Sequence, residues 1–339
     1  MPIQTDVVII GAGPCGLFQV FELGLLDIRA HVVDALPQVG GQCSELYPDK
    51  PIYDIPALPV VGAQELIDRL MEQIKPFEAE FHLGQTVSEF RRREDGRFSL
   101  VTSNGTEFDT AAVIIAAGLG AFQPRRLKGA EAFEGVAVHY RVRDPGAVDG
   151  KDILILGGGD SALDWVLELQ ERARSITLIH RRPEYRAAPA SVRQMKALAE
   201  AGKLRELQGM VRQVLEEDGV FRGVRVKTED GTEQDVHADA AYVFYGLSPN
   251  LGPIADWGLE IDKRQLPVDT EKFQTSLPGV YAVGDINTYP GKKKLILSGF
   301  HEAALAAFAI KHQLNPDKKV HLQYTTTSPI MHQRLGVEG

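Results

Sequence analysis

The sequence predicts an α/β protein built from two similar three-layer units, each with a parallel sheet, helices and a β-meander. Two short glycine clusters support this prediction, because each follows an apolar strand and opens a helix with apolar residues at helical spacing. After each cluster come two Asp-Gly or Asn-Gly pairs, which favour hairpin turns. A length of 339 residues fits two domains of ordinary size.

The first unit starts near the beginning of the chain. Apolar residues predict a buried strand over Asp6–Ile10 and a helix over Leu17–Leu26, with Gly11–Gly16 as the turn between them. Arg29–Val33 is predicted as the next strand and is followed by Asp34. The strands of the meander are predicted over Thr86–Glu94, Arg97–Ser103 and Glu107–Ala116.

The second unit repeats this layout. The sequence predicts a strand over Ile153–Leu156, a glycine turn over Gly157–Ala162, a helix over Leu163–Ala173 and a strand over Ser175–Ile179. The meander strands are predicted over Val211–Glu217, Val220–Glu229 and Glu233–Tyr245. A strand over Tyr281–Asp285 and a helix over Ser298–Leu314 follow, and a polar tail begins at Asn315.

The first glycine turn has the chemistry of a dinucleotide site. Gly11 allows a tight turn, Gly13 leaves room for a pyrophosphate, and Gly16 lets helix and strand pack closely. Pro14 lies in the same turn and is placed at this site, and the N–H groups at the N-terminus of the helix that follows attract phosphate. Asp34 can accept hydrogen bonds from ribose hydroxyls, so this site favours a free ribose diol, as in FAD or NAD.

The second turn differs from the first at the positions that choose the nucleotide. Ala162 replaces the third glycine, and His180, Arg181 and Arg182 stand where the first unit has its acid. Guanidinium groups bind a 2′-phosphate through charge-assisted hydrogen bonds, whereas an acid would repel it. We therefore expect NADPH here, with these residues at its site: Gly157, Gly159, Asp160, Ser161, Ala162, His180, Arg181 and Arg182.

Composition narrows the class of protein. The net charge of −9, from 37 basic and 46 acidic residues, disfavours nucleic-acid binding. Cys15 and Cys43 are too few and too widely spaced for a disulfide framework or a zinc site, which favours a reducing, cytoplasmic setting. No signal peptide opens the chain, and no apolar stretch reaches the length of about 20 residues that a membrane span needs. The net charge and the lack of a long apolar stretch therefore predict that neither a nucleic acid nor a membrane is a partner.

These motifs resemble those of the two-dinucleotide-binding-domain flavoproteins, a group that includes thioredoxin reductase. Ile114–Gly118 is similar to the group's hinge strand, Gly40–Gln42 to the segment along FAD, and Tyr281–Asp285 to its second FAD motif. Thioredoxin reductases carry a redox-active CxxC pair, but the matching stretch here, Gly135–Tyr140, has no cysteine. The resemblance therefore implies an FAD enzyme without dithiol exchange.

Within that group, the chain resembles ferredoxin–NADP reductases of the thioredoxin-reductase-like type. The resemblance rests on the missing CxxC pair, on Gly40–Pro48 and Asp285–Lys292, and on a C-terminal extension from about residue 315. It implies hydride transfer from NADPH to FAD and one-electron transfer to ferredoxin or flavodoxin, in a cytoplasmic homodimer, without a catalytic acid or base from the protein. No metal is expected.

The resemblance also assigns roles to single residues. Tyr47 would stack on one face of the flavin and Tyr324, from the partner subunit, on the other, with Thr326 close to the ring. The remaining residues that it places along FAD are Gly41, Gln42, Val87, Phe122 and Asp285. The domains are expected to be 1–117 with 247–339 for FAD, and 118–246 for NADPH, with hinges at Gly118–Gly120 and Gly246–Asn250.

Two other functions fit the same residues. One is an NADPH-dependent reductase of quinones or free flavins, and the other is a non-enzymatic redox sensor that binds FAD and NADPH. If ferredoxin is the partner, its acidic surface requires local basic patches on this acidic chain. The candidates are Arg91–Arg93, Arg125-Arg126 and Lys292–Lys294.

Overall fold

The chain folds into two units in a computed structural model that describes residues 1–120, 123–248, 250–320 and 322–337. The first unit comprises Met1–Ala121 and Pro249–Gly339, and the second comprises Phe122–Ser248. The second unit is therefore inserted between two segments of the first.

The first unit begins with alternating strands and helices, as the sequence predicts. In its N-terminal segment these are β1 (Ile3–Ile10), α1 (Pro14–Leu25), β2 (Ala30–Val33), α2 (Gln42–Leu46), β3 (Pro51–Ile52), β4 (Val61–Gly62), α3 (Ala63–Ile74), β5 (Glu80–His82), β6 (Val87–Arg92), β7 (Phe98–Thr102) and β8 (Glu107–Ile115). The predicted helix over Leu17–Leu26 thus begins three residues earlier, at Pro14, because proline is favoured in the first turn of a helix.

The elements of the second unit are β9 (Gln123–Pro124), β10 (Val138–His139), β11 (Asp152–Gly157), α4 (Asp160–Leu169), β12 (Ser175–His180), α5 (Pro189–Glu200), β13 (Arg205–Glu217), β14 (Val220–Thr228), β15 (Glu233–His237), β16 (Ala240–Phe244) and β17 (Leu247–Ser248). The first unit then resumes with β18 (Leu266–Pro267), β19 (Val280–Ala282), β20 (Asn287–Thr288), α6 (Ile296–Leu314) and α7 (Pro329–Leu335).

The main sheet of the first unit has the strand order β5-β2-β1-β8-β7-β6, with β19 also paired to β8. The strands β5, β2, β1, β8 and β19 run parallel, and the meander β6-β7-β8 is antiparallel. Helices α1, α3 and α6 cover one face, where Leu17, Ile67 and Ile310 pack against the strands. The other face is covered by the segment that contains Ile254 and Trp257. This gives the predicted three layers.

The main sheet of the second unit has the order β10-β16-β11-β12-β13-β14-β15. Its parallel part runs from β10 to the first residues of β13, and the rest of β13 continues into an antiparallel meander. Helices α4 and α5 pack on one face through residues such as Leu163, Val166 and Met195. The fold class predicted from the two repeats is therefore confirmed.

Several predicted strands differ from the structure in their bounds; β13, for example, begins at Arg205 and not at Val211. The strand expected over Glu233–Tyr245 is split, because Asp239 turns back to Asp152: its N–H donates to the Asp152 carbonyl at 2.8 Å, and its carboxylate accepts from the Asp152 N–H at 2.9 Å. The first half, β15, ends the meander, and the second half, β16, joins the parallel sheet beside β11. The strand expected over Tyr281–Asp285 ends at Ala282, and a 3₁₀ turn holds Gly284–Ile286.

The C-terminal tail, predicted only as a polar extension, contains helix α7. Ser328 caps this helix by accepting a hydrogen bond from the Met331 N–H at 3.4 Å, and Met331 is buried. Arg334 donates to the carbonyl oxygen of Leu25 at the end of α1. The tail therefore packs on the first unit. Within the described residues, no helix is both long and apolar enough to cross a membrane.

Candidate dinucleotide-binding sites

The first glycine turn lies between β1 and α1. A Cβ atom added to Gly11 would lie 2.4 Å from the Ala116 carbonyl oxygen, and one added to Gly16 would lie 1.9 Å from that of Gly11. Gly13 has no atom within 4 Å of the same position. Two of the glycines are therefore required by packing, while the third leaves open space at the start of α1.

Helix α1 offers unpaired N–H groups to that open space. Gly13 is its N-cap and provides no side-chain cap, Pro14 follows, and the first turn contains no acidic residue. An uncapped helix N-terminus carries partial positive charge and free donors. The space beside Gly13 thus has the shape and polarity that a pyrophosphate requires.

Asp34 is held against this turn. Its carboxylate accepts hydrogen bonds from the backbone N–H groups of Ala12 at 2.6 Å and Leu36 at 2.7 Å. Burial raises the pKa of Asp34, and the two backbone donors oppose that shift. The structure therefore brings together, at the carboxyl ends of β1 and β2, the acid predicted to bind ribose and the glycine turn predicted to bind pyrophosphate.

The segment Gly40–Gln42 packs against the first glycine turn. The Gly40 N–H donates to the Ala12 carbonyl at 2.8 Å, and a Cβ atom on Gly41 would lie 3.2 Å from the Cα atom of Gly13. Both Gly40 and Gly41 have a positive φ, which glycine adopts without strain. Gln42 begins α2, and its Nε2 atom would lie 3.6 Å from a Cβ on Gly118.

Tyr47, the residue predicted to stack on the flavin, follows directly after α2 and is half-buried. Its hydroxyl lies 3.6 Å from the Sγ atom of Cys43. Burial raises the pKa of Tyr47, so the phenol stays protonated at neutral pH. Its stacking role stays a prediction.

Val87, one of the residues predicted along FAD, is buried at the start of β6, where it pairs with Thr102. Tyr324 and Thr326 lie in the exposed segment before α7, and the Tyr324 side chain is 65% exposed. Phe122 lies outside the described residues. The roles predicted for these four residues along FAD stay predictions.

Asp285 lies on the 3₁₀ turn after β19, and a buried cluster holds this turn in place. Glu302 of α6 is fully buried and accepts hydrogen bonds from the Gly284 N–H at 2.7 Å, the Asn287 amide at 2.8 Å and the Tyr289 hydroxyl at 2.9 Å. Lys292 completes the cluster with an ion pair of 2.5 Å to Glu302. Burial raises the pKa of Asp285, and Lys292 and Lys294 oppose this.

Glu302 was missed in the sequence. Its signal there is a single acidic residue on the buried face of an otherwise apolar helix, one turn after Gly299. Cys15 lies beside the same cluster: a Cβ on Gly299 would lie 2.2 Å from its Sγ atom. Burial, helped by Asp285 and Glu302, raises the pKa of the Cys15 thiol to about 12, so the thiol is a poor nucleophile.

The second glycine turn lies between β11 and α4. A Cβ on Gly157 would lie 2.5 Å from the Phe244 carbonyl oxygen, so this position requires glycine. Gly159 is the N-cap of α4 and provides no side-chain cap. Asp160 accepts a hydrogen bond from the Ala188 N–H at 2.8 Å, Ser161 is exposed, and Ala162 is fully buried. This turn therefore also presents an open helix N-terminus.

His180, at the end of β12, packs directly on the second turn. A Cβ on Gly158 would lie 2.3 Å from its Nδ1 atom, and its ring stacks on Tyr185 at 5.1 Å. Arg181 and Arg182 follow it and are exposed. The structure therefore places His180 beside the turn, and Arg181 and Arg182 follow it directly in the chain. The nucleotide that these residues bind stays a prediction.

Most of the basic docking candidates keep exposed side chains, but Lys292 does not. Its side chain is only 6% exposed and is paired with Glu302, so the prediction that it belongs to a surface patch is wrong. A neighbouring buried carboxylate explains the difference, since a buried acid requires a partner. Arg93 and Arg126 are partly neutralised by Asp109 and Glu134.

Comparison with known proteins agrees with this geometry. Residues 5–309 match the family model described as pyridine nucleotide-disulphide oxidoreductase. Over 339 residues the chain is 59% identical to ferredoxin–NADP reductase 2 of Cupriavidus taiwanensis, with 99% of this chain and 92% of that protein covered. The chain belongs to the ferredoxin–NADP reductases of this oxidoreductase family.

A second relative supports the assignment to the ferredoxin–NADP reductase family, and a solved structure supports the fold. The chain is 58% identical over 343 residues to the ferredoxin–NADP reductase of Methylibium petroleiphilum, covering 99% of this chain and 94% of that protein. The fold is similar to the crystal structure of Lactococcus lactis thioredoxin reductase, with a TM-score of 0.76 at 24% identity, covering 91% of this chain and 99% of that one. The predicted enzyme class and cofactors, FAD and NADP(H), are confirmed at the level of this family.

Proposed function

We propose that this chain binds FAD at its first glycine turn and NADPH at its second, and transfers electrons between NADPH and ferredoxin or flavodoxin. The observation that carries this proposal is the chemical difference between the two turns. Asp34 is held against the first turn by the Ala12 N–H at 2.6 Å, while His180 packs on the second and is followed by two exposed arginines. Similarity to ferredoxin–NADP reductases at 59% and 58% identity supports the choice of partner.

The residues of the first unit fit the cofactor assigned to it. The space beside Gly13 and the free N–H groups of α1 suit a pyrophosphate, and the Asp34 carboxylate retains lone pairs for ribose hydroxyls. The Glu302 cluster fixes the turn that carries Asp285. Bound at this site, FAD would supply the capacity for hydride transfer from NADPH and for one-electron transfer to a carrier protein.

The protein residues contribute position and selectivity to this reaction. Arg181 and Arg182 supply guanidinium donors for a 2′-phosphate, which distinguishes NADPH from NADH. Tyr47, and Tyr324 from a partner subunit, would shield the flavin, with Thr326 near the ring. The sequence has only Cys15 and Cys43, and no CxxC pair, so it offers no dithiol relay of the thioredoxin-reductase kind.

The test is a comparison of electron acceptors with the FAD-loaded protein. NADPH is supplied at a saturating concentration, and kcat/KM is measured for ferredoxin, flavodoxin and a small neutral quinone. We expect ferredoxin or flavodoxin to exceed the quinone at least tenfold. A quinone that equals or exceeds both proteins would assign the chain to quinone reduction, and unchanged flavin absorbance after addition of NADPH would make it a binding protein.

We also propose that the protein is a cytoplasmic homodimer. The free thiols of Cys15 and Cys43 suit a reducing compartment. The segment that carries Tyr324 also exposes Leu322, Ile330 and Val337, which are apolar side chains that a second subunit could cover. Sedimentation equilibrium of the FAD-loaded protein distinguishes a dimer from a monomer of 37.2 kDa.

A further inference from the structure

Three side chains of metal-binding type meet on one face of the first unit's sheet, at its β5 edge. In the parallel pairing of β2 with β5, His31 is opposite Glu80 and Val33 is opposite His82. Side chains two residues apart on a strand point to the same face, and so do directly paired residues on neighbouring strands. The pairing therefore brings His31, Glu80 and His82 together.

The distances between their ligand atoms are short. His31 Nδ1 lies 3.0 Å from His82 Nε2 and 3.9 Å from Glu80 Oε2, and the ligand atoms of all three residues lie within 4.8 Å of one another. Two nitrogen ligands of a tetrahedral zinc ion, each at about 2.05 Å, are about 3.3 Å apart. Bringing the two imidazoles onto one ion thus requires movements of only a few tenths of an ångström.

The surroundings orient the two rings and leave a path for an ion. Both imidazoles contact the Phe108 ring, with centroid distances of 5.7 Å for His31 and 5.0 Å for His82. The His31 side chain is 13% exposed, whereas that of Glu80 is 71% exposed. The site therefore has an apolar, aromatic wall on one side and a movable carboxylate at the solvent side.

We propose that His31, Glu80 and His82 form a binding site for a borderline divalent cation such as Zn²⁺. Imidazole and carboxylate ligands suit this class of ion, and two histidines, one glutamate and a water complete four-coordination. Binding of the ion would break the hydrogen bond between the two imidazoles, and the proton of that bond would move through solvent to the other nitrogen of its own ring, so that each neutral ring offers a lone pair to the ion. It would fasten the three-residue edge strand β5 to β2, and none of its ligands is a residue that the proposed FAD or NADPH site uses.

Zinc binding to the full FAD-loaded protein tests this proposal. Equilibrium dialysis against Zn²⁺ is expected to give one bound equivalent that is absent in His82→Gln. Glu80→Gln is expected to bind at least tenfold more weakly, because one of three protein ligands is lost. The matched control is His237→Gln, which changes an exposed strand histidine of the second unit and is expected to keep the equivalent. X-ray absorption at the zinc edge is expected to show imidazole ligands.

If His82→Gln unfolds, the comparison of Glu80→Gln with the wild-type protein still tests the proposal, because Glu80 is exposed and its substitution leaves the core intact. Binding that is unchanged in Glu80→Gln, or no bound zinc in the wild-type protein, would reduce the cluster to a hydrogen-bonded histidine pair. The readout is bound metal, so this failure is separate from a failure of the proposed electron transfer. Conversely, loss of ferredoxin activity would leave the zinc stoichiometry unaffected.

Discussion

At the scale of single residues, Gly13 and Gly16 belong to the same turn, but a methyl group added to each would meet different surroundings. The Gly16 position is closed by the Gly11 carbonyl at 1.9 Å, whereas the Gly13 position is open and has a φ of −73°. Gly13→Ala is therefore expected to cost folding about 1 kcal/mol or less, the penalty for losing glycine at an N-cap. We expect FAD affinity to fall at least tenfold, because the methyl group occupies the pyrophosphate space.

The matched control is Gly62→Ala, since Gly62 is the N-cap of α3 with a φ of −65°. Its methyl group would lie 3.7 Å from the nearest atom, the Glu65 Cβ. Urea unfolding of the apoproteins and FAD titration by fluorescence measure the two effects. Equal FAD affinity in the two variants would show that the cofactor does not approach Gly13.

Arg181 and Arg182 carry the predicted choice of nucleotide. Changing both to alanine is expected to raise the KM for NADPH at least tenfold and the KM for NADH less than twofold. The reason is that the two arginines would bind the 2′-phosphate, which NADPH has and NADH lacks. Steady-state kinetics with both nucleotides measure this. Arg222→Ala, an exposed arginine on β14 of the same unit, serves as the control. An equal rise in both KM values would contradict the assignment.

Lys292 is expected to stabilise the folded protein. Lys292→Met removes the only ammonium group that the structure pairs with Glu302 among the described residues, and Glu302 is fully buried. Breaking a buried ion pair from one side costs about 3 to 5 kcal/mol. Urea unfolding should show this loss in Lys292→Met, partial recovery in Lys292→Met/Glu302→Gln, and little change in the exposed control Lys293→Met. A loss no larger than in the control would show that Glu302 is protonated or solvated.

The residues that the sequence alone could find are those in short, continuous motifs. Gly11–Gly16 and Asp34 lie close together in the first unit. The second turn forms separately in the second unit. Both arrangements could be predicted because a strand, a turn and a helix are local in sequence. Glu302 and Lys292 are paired through the packing of α6 on the turn that carries Asp285, and no motif encodes that packing. Lys292 therefore looked like part of a surface patch.

At the scale of elements, α1 contains an acidic side chain that the fold partly buries. Burial raises the pKa of Glu22 from 4.5 to about 7. The folded state thus holds the proton more tightly than the unfolded state, so this stabilising contribution is full below pH 4.5 and is lost as the pH rises through 7. Glu22→Gln is expected to stabilise the protein by about 1–2 kcal/mol at pH 8 and by much less at pH 4.5.

Urea unfolding at the two pH values measures this difference. The control is Glu72→Gln, which changes an exposed glutamate on α3. A benefit of Glu22→Gln that is the same at both pH values would mean that the amide packs better. It would then say nothing about ionisation.

The spacing of apolar residues predicts some of the strands and helices but not all of them. The predicted strands of the first βαβ unit lie where the structure has β1 and β2, because buried parallel strands appear as apolar runs. The segment Glu233–Tyr245 is predicted as one strand, although β15 has a single apolar residue, Val236, and β16 is largely apolar. The break at Asp239 depends on its distant partner Asp152. Helix α7 is too short, at seven residues, to show a periodic pattern.

At the scale of the whole molecule, the charge of −9 bears on the choice of partner. An acidic ferredoxin would be repelled overall, so it must meet exposed basic groups such as Arg92, Arg125, Lys293 and Lys294. We expect kcat/KM for ferredoxin to fall at least fivefold between 20 mM and 300 mM NaCl, because salt screens this attraction. The rate with a neutral quinone is the control and should change little. The same salt dependence for both acceptors would exclude electrostatic docking.

Strand β19 has a consequence for how the polypeptide is made. It pairs with β8 of the first unit, yet it follows the whole second unit in the chain. During synthesis, the second unit is complete once residue 248 has been made, while the first still lacks β19, Asp285 and the Glu302 cluster. Domains fold as units as they emerge. The insertion can therefore reach its final form on the ribosome before the first glycine turn gains its last neighbours, so the two proposed nucleotide sites are completed at different times.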